Sequence, residues 1–268
     1  MKLIHLFLAV SFLISCNNKN DARASAAFSR KSDTLILGGK FDQAKNAIEK
    51  AIQLDPSNCA AYNNRAYMNF KLNKSSNEII ADYKKALSIN PSYDHSLFSL
   101  ANYYFEIKDY KNTIENANIY LSYVSKNHPA ESLIQYMYLI RVRSKYMHGE
   151  CKNAIQDIQT AMKMDSTKAK SFLYLGDCHF CQNSVGEAIK EFTRAIDIDS
   201  TYAKAYLARA RCYESSKLPP LLYLAEQDYR SAFKIDFNIE DIYHTNSPIF
   251  KKIEQQFKYR NNQKSKHM

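Results

Sequence analysis

Residues 169–202 read AKSFLYLGDCHFCQNSVGEAIKEFTRAIDIDSTY. Within these 34 residues, Phe172, Leu175, Gly176 and His179 follow at spacings of 3, 1 and 3, which places them on one face of a helix. Ala188, Phe192 and Ala195 repeat the pattern at spacings of 4 and 3. The stretch therefore predicts two amphipathic helices with a turn between them. Gly176 is small where a neighbouring helix would approach closely. Ala188 and Ala195 are small on the facing side of the second helix. Large residues set against small ones at these offsets let two antiparallel helices interlock. One such pair cannot cover its own apolar face, so it predicts neighbours before and behind it.

The neighbours are in register. Tyr206, Arg209, Ala210 and Tyr213 take the first-helix places downstream. After an insertion carrying Pro219 and Pro220 come Ala225, Tyr229 and Ala232. Upstream, Tyr138, Arg141, Val142 and Lys145 precede Gly149 in the turn, then Ala154, Ile158 and Ala161. Tyr62, Ala66, Ile79, Tyr83, Ala86 and Pro91 make another copy; Leu97, Ala101, Tyr104, Tyr110, Thr113 and Ala117 make the next. The first copy keeps Gly39, Phe41, Ala44, Ile48, Ala51 and Pro56, but its opening helix is degenerate. This periodicity resembles the tetratricopeptide repeat (TPR). It gives six copies, at 25–58, 59–93, 94–128, 135–168, 169–202 and 203–239. The resemblance implies an all-α, right-handed superhelical solenoid. A last helix follows. Ser247 and Pro248 form an N-cap and first-turn pair, and Ile249, Phe250, Ile253 and Phe257 form an apolar stripe. Residues 247–260 read as a solenoid cap and 261–268 as a disordered tail.

Residues 1–15, MKLIHLFLAVSFLIS, carry one Lys and an apolar run too short to span a bilayer. They read as a secretory signal peptide. Leu13-Ile14-Ser15-Cys16 resembles the bacterial lipobox, which implies cleavage before Cys16 and acylation of its thiol. Two or more acyl chains make a stable membrane anchor. Asn17, not Asp, comes immediately after Cys16, so the resemblance points to the outer membrane, while Lys19 with Asp21 loosely resembles surface-export signals. Periplasmic and cell-surface faces both stay open. Residues 16–24 read as the acylated N-terminus and a polar tether.

Composition agrees with a helical solenoid: five Gly, six Pro and no Trp, with 20 Tyr and 14 Phe supplying the large side chains. The net charge of +10 admits nucleic acid, anionic lipid or an acidic partner. No basic-plus-aromatic nucleic-acid motif is present. The terminal cluster of Lys251, Lys252, Lys258, Arg260, Lys264 and Lys266 reads as a solvated face and tail. Beyond Cys16, Cys59, Cys151, Cys178, Cys181 and Cys212 read as small structural hydrophobes, with a redox pair Cys178–Cys181 as the exception. Haem attachment is excluded because Gln182, not His, follows Cys181.

No GxSxG, HExxH, Walker or dinucleotide-binding motif occurs, so neither catalysis nor a metal nor a cofactor is expected. The TPR resemblance directs attention to the inner surface, which the first helices line in that family. Its places hold Asn63, Asn64, Tyr67 and Phe70, then His95, Phe98, Asn102 and Phe105. Tyr136, Arg143 and Tyr146 follow, then Lys170, Tyr174, Asp177 and Phe180, and finally Lys204 and Arg211. Aromatic, amide and cationic groups together suit an extended peptide or a partner helix. Arg143 and Tyr174 are expected outside the inter-helix core. The carboxylate-clamp class is not matched, because Ser29, Asp33, His95 and Ser99 stand where that class has basic or amide residues. The expectation is a non-enzymatic, lipid-anchored protein-binding adaptor at the outer membrane. The alternative is a glycan- or nutrient-binding lipoprotein beside a transporter.

Overall fold

The computed structural model describes the backbone of residues 2–124, 130–165, 167–239 and 246–265. The side chains of residues 1–18 and 260–268 lie outside that description, Cys16 and the tail cations Arg260, Lys264 and Lys266 among them. The described residues form thirteen helices and no strand. They fall into two units, residues 1–127 and 128–268. Unit 1 contains α1 (Lys2–Leu37), α2 (Phe41–Leu54), α3 (Cys59–Lys71), α4 (Ser76–Ile89), α5 (Asp94–Glu106) and α6 (Tyr110–Val124). Unit 2 contains α7 (Glu131–Met147), α8 (Cys151–Met164), α9 (Ala169–Cys181), α10 (Val185–Ile198), α11 (Ala203–Ser215), α12 (Pro219–Ile235) and α13 (Pro248–Ser265). In each unit consecutive helices pair into hairpins, and the hairpins stack as a helical-repeat solenoid.

Two local devices make the hairpins. Between the helices of a hairpin one residue takes a positive φ: Gly39, Asn73, Lys108, Gly149, Asn183 and Lys217. That conformation lets the next amide reach back to the helix end, as Ser184 N–H does to the His179 carbonyl at 2.9 Å and Glu150 N–H to Lys145 at 2.8 Å. Between hairpins an Asx turn reverses the chain. Asp55, Asn90, Asp165, Asp199 and Asp236 each accept the backbone N–H two residues on, at 2.8–3.1 Å.

Packing follows the small-against-large rule. Ala44 and Ala51, Ala154 and Ala161, Ala188 and Ala195, and Ala225 and Ala232 are each separated by two helical turns and completely buried. Gly176 faces the ring of Phe192 directly: a Cβ at Gly176 would stand 2.5 Å from Phe192 Cε1. Three hairpins carry the same internal ion pair. Arg65 clasps Asp82, Arg141 clasps Asp157 and Arg209 clasps Asp228, each through two nitrogens. Each guanidinium also lies over a tyrosine three residues earlier, at 5.2–5.8 Å.

α1 is continuous through residues 17–24, the stretch expected as a tether. Its degenerate look has a physical cause. The face turned to α2 and α3 is built from Ser25, Ser29, Ser32 and Ile36, so buried hydroxyls replace large apolar groups. They are satisfied: Ser25 Oγ donates to the Ala51 carbonyl, and Asn58 Nδ2 donates to Ser25 and Ser29. Among the described residues no helix is long and apolar enough to cross a membrane. At the other end, Ser247 Oγ caps α13 by accepting the Phe250 N–H at 3.0 Å. Phe250 and Phe257 pack on Tyr229 and Phe233 of α12. α13 runs to Ser265, past the expected end at 260; residues 266–268 lie outside the described part.

The cysteine expectation is corrected. Cys151, the first residue of α8, is disulfide-bonded to Cys181, the last residue of α9. The two helices are antiparallel neighbours, so those ends meet on the turn side, with Cα atoms 6.2 Å apart. The bond ties two successive repeats together. Cys178, one turn earlier on α9, is completely buried and free, so it is not the redox partner of Cys181.

Candidate partner-binding face

In unit 2 the first helices of the hairpins touch one another, α7 against α9 and α9 against α11. Arg143, Asp177 and Arg211 stand 34 residues apart, at one repeat position on those three helices. Arg143 Nη1 donates to Asp177 Oδ2 at 3.0 Å. Arg211 Nη2 lies 3.7 Å from Asp177 Oδ1. Arg211 Nη1 also donates to Tyr146 Oη at 3.0 Å. A carboxylate whose side chain is 1% exposed is therefore bracketed by one cation from each neighbouring repeat. The arrangement is electrostatically sound because the buried charge is paired twice.

Rings surround the cluster. The Arg211 guanidinium lies 4.0 Å from the Phe180 centroid. Arg143 lies 5.2 Å from Tyr146 and 6.0 Å from Tyr174. Lys170 Nζ sits over Tyr136 at 5.7 Å and over Tyr174 at 5.6 Å. Lys204 is exposed. Burial pushes the Tyr202 phenol up to about 12, with Asp177 adding to the shift, and pushes the Tyr174 phenol up as well. These phenols stay neutral and act as hydrogen-bonding, ring-bearing surfaces. Among the described residues the face carries Arg143, Lys170, Lys204 and Arg211, the carboxylate of Asp177 and a bed of aromatic rings.

The expectation that Arg143 and Tyr174 lie outside the inter-helix core is overturned. Tyr174 is 7% exposed and belongs to the main core cluster of unit 2. The Arg143 side chain is 14% exposed and held by Asp177. Both carry packing as well as surface.

Unit 1 uses its inner places differently. Asn64 Nδ2 donates to the Ser29 carbonyl and to Ser32 Oγ at 3.0 and 2.9 Å. Asn63 Oδ1 accepts from Ser96 Oγ at 3.0 Å. Asn63 and Asn64 thus stitch α3 to α1 and α5. Phe70 packs edge-on against Tyr103 and Phe98 against Tyr120. Tyr67, Asn102 and Phe105 are half-buried; His95 is exposed, stacked on Tyr93 and bonded to Asp94. Among the described residues no group of His, Cys, Asp and Glu could hold a metal ion.

Sequence reading missed the disulfide and the three Arg–Asp clasps. The clasps left a signal: Arg recurs at the same first-helix place in three repeats, each with an Asp in the second helix. The disulfide left none, since Cys178 is nearer to Cys181 in sequence.

Comparison with known proteins places the chain. The family described as tetratricopeptide repeat matches residues 31–94 and 141–203. No curated protein matches the sequence. Among solved structures the chain is similar to PilF of Pseudomonas aeruginosa, at 14% identity and a TM-score of 0.63, covering 88% of this chain and 99% of that one. A tetratricopeptide repeat protein from Parabacteroides merdae gives 15% identity and a TM-score of 0.60 over 88% and 99%. YrrB, described as a TPR protein with an unusual peptide-binding site, gives 19% and 0.56 over 74% and 96%. At these identities the likeness is one of fold. With the family match, the repeated hairpins and their shared turns all in agreement, the chain carries tetratricopeptide repeats over residues 31–94 and 141–203 and folds as a helical-repeat solenoid.

Proposed function

We propose that the protein is a non-catalytic scaffold that holds a segment of a partner protein on the inner face of unit 2, and that acyl chains on Cys16 carry it at the outer membrane. Tetratricopeptide repeats are generally scaffolds for protein interaction, and YrrB, of the same fold, has a peptide-binding site. The observation that carries the reading is the Arg143–Asp177–Arg211 cluster with its rings, to which three successive repeats contribute. Arg and Tyr dominate interface energetics because they combine area, hydrogen bonding and low ordering cost. Export is supported by the apolar run ending at Cys16 and by the Cys151–Cys181 disulfide, since such bonds persist in oxidising compartments.

Photo-crosslinkers at Tyr136 and Lys204 in intact cells test the face, with Lys251 on α13 as the control position. A partner captured from the inner positions and not from Lys251 is expected. Equal products from all three would remove the face from consideration. For the anchor, Cys16→Ser should release the protein from membranes or leave an uncleaved precursor. Unchanged acyl labelling and fractionation would refute the anchor.

A further inference from the structure

We infer that the apolar turn opening α12, from Leu218 to Leu224, dips into the surface of an anionic phospholipid bilayer. The inner face of unit 2 has no part in this, since α7, α9 and α11 line that face. Residues 218–224 read LPPLLYL, seven in succession whose only polar group is the Tyr223 phenol. Leu218 is 57% exposed, Tyr223 64% and Leu224 41%. Pro219 and Pro220 are exposed beside them. Pro220, Tyr223 and Leu224 follow at spacings of 3 and 1, so they share one face of the helix, with Leu218 and Pro219 at its tip. Other hairpins begin their second helix differently. Lys40, Ser75, Glu150 and Ser184 precede α2, α4, α8 and α10, whereas Leu218 takes that place before α12. α12 also starts early: Ala188 is the fourth residue of α10, but its counterpart Ala225 is the seventh of α12. The three added residues, Pro219, Pro220 and Leu221, lengthen the helix by about 4.5 Å, nearly one turn, and all three are apolar.

The backbone of this turn is prepared for the loss of water. The first amides of a helix ordinarily point at solvent. Here two of them, at Pro219 and Pro220, carry no hydrogen. The Leu221 and Leu222 N–H groups both donate to the Leu218 carbonyl at 2.9 Å. Upstream, Ser216 N–H donates to the Tyr213 carbonyl, Lys217 N–H to the Glu214 carbonyl and Leu218 N–H to Ser216 Oγ. Every amide donor from Ser216 to Leu222 thus has an acceptor within the chain. A protein partner could accept from free amides, whereas hydrocarbon cannot, so a turn stripped of free donors suits lipid. The Tyr223 ring, with an apolar body and a polar tip, matches the headgroup level. Lys217 is exposed and is the one charged side chain in residues 215–225. The acids on either side are engaged: Glu214 accepts from Tyr229 and Ser247, and Glu226 pairs with Arg230. The edge of the apolar turn therefore carries a positive charge, complementary to anionic headgroups.

The chain contains no Trp, so Tyr223→Trp gives a fluorophore that reports on this turn alone. The full chain also carries Cys16→Ser, which removes any acyl chain on that thiol. With phosphatidylglycerol vesicles the emission should move to the blue and be quenched by lipids brominated along their acyl chains. Ile198→Trp, at a residue of α10 that is 45% exposed, should show neither effect. On the Tyr223→Trp background, Leu218→Gln with Leu224→Gln should raise the vesicle concentration at half-effect at least about tenfold. The melting temperature should not change, since both leucines are exposed. Lys217→Asn removes the charge and keeps a residue suited to the positive φ at that position. It should raise the half-effect concentration several-fold on phosphatidylglycerol and leave it within about twofold on phosphatidylcholine. No blue shift, an equal response from Ile198→Trp, or an unaltered titration with the double leucine variant would overturn the inference. A photo-crosslinker at Leu218 in intact cells tests the other occupant. If it captures a protein while vesicles leave the Tyr223→Trp emission unmoved, the turn docks on protein and the bilayer inference falls.

Discussion

Gly176 and Phe192 are in direct apposition: the α-carbon of one and the ring edge of the other leave no room for a Cβ, which would stand 2.5 Å from Cε1. Both are buried, Phe192 completely. Gly176→Leu should therefore cost about 1–3 kcal/mol through overpacking. Thermal melts check it. Combining Gly176→Ala with Phe192→Leu should recover part of the loss caused by Gly176→Ala alone. A single Gly176→Leu variant of wild-type stability would contradict the contact.

The Cys151–Cys181 bond closes a separation of 30 residues. Chain-entropy reasoning assigns such a loop about 3–4 kcal/mol. A reductant should lower the melting temperature of the native chain and leave that of the Cys151→Ser, Cys181→Ser double variant unchanged. Cys178→Ser should keep the native response to reductant, since Cys178 takes no part in the bond.

The buried thiols make unit 2 sensitive to alkali. Burial raises Cys178 from 9.0 to about 12, with Asp177 adding to the shift, and raises Cys212 likewise from 9.0 to about 12. The unfolded chain releases these protons at lower pH than the folded one. Their contribution is thus complete below pH 9 and is lost as pH rises from 9 towards 12. Stability measured by denaturant titration at pH 8 and pH 10.5 should fall, and Cys178→Ala with Cys212→Ala should shallow the fall. An unchanged slope in that double variant would rule the thiols out as the cause.

The Arg–Asp clasps differ in burial, which orders their mutational cost. Arg141 and Asp157 are 13% and 8% exposed, whereas Arg65 is 38% exposed. Asp157→Ala should cost about 3–5 kcal/mol, because Arg141 and Lys145 then face each other without their carboxylate. Asp82→Ala should cost less, on the order of 1–2 kcal/mol, as water can solvate Arg65. Equal losses in denaturant unfolding would show that burial does not set the scale.

Truncating Tyr174 should unfold as well as unbind. Its ring lies in the core of unit 2, so Tyr174→Ala should cost about 3–5 kcal/mol. Binding loss in that variant would carry no information about the inner face, whereas exposed Lys204 is a clean probe. A Tyr174→Ala chain melting like the native one would reverse this assignment.

What the sequence by itself determined is what repeats along it. The spacing of Gly176, Phe192, Ala188 and Ala195 is set by helical periodicity, a local property, and its recurrence every 34 residues made the hairpins and their small-against-large faces legible. Turns were legible for the same reason, in Gly39, Pro56 and Gly149. The side on which a residue lies could also be read, so Arg143, Tyr174, Asp177 and Arg211 were placed on one face. What those side chains do there was decided only by the stacking of helices from different repeats. Asn63 and Asn64 became stitches because serines of α1 and α5 stand opposite them. Asp177 became the centre of a charge cluster because arginines stand on both neighbouring helices. Cys181 found Cys151 rather than Cys178, because the ends of α8 and α9 meet in space while residues one turn apart on α9 point to different surroundings. Periodicity belongs to a single helix, but pairing needs the distance between two, and only the packed chain supplies that distance.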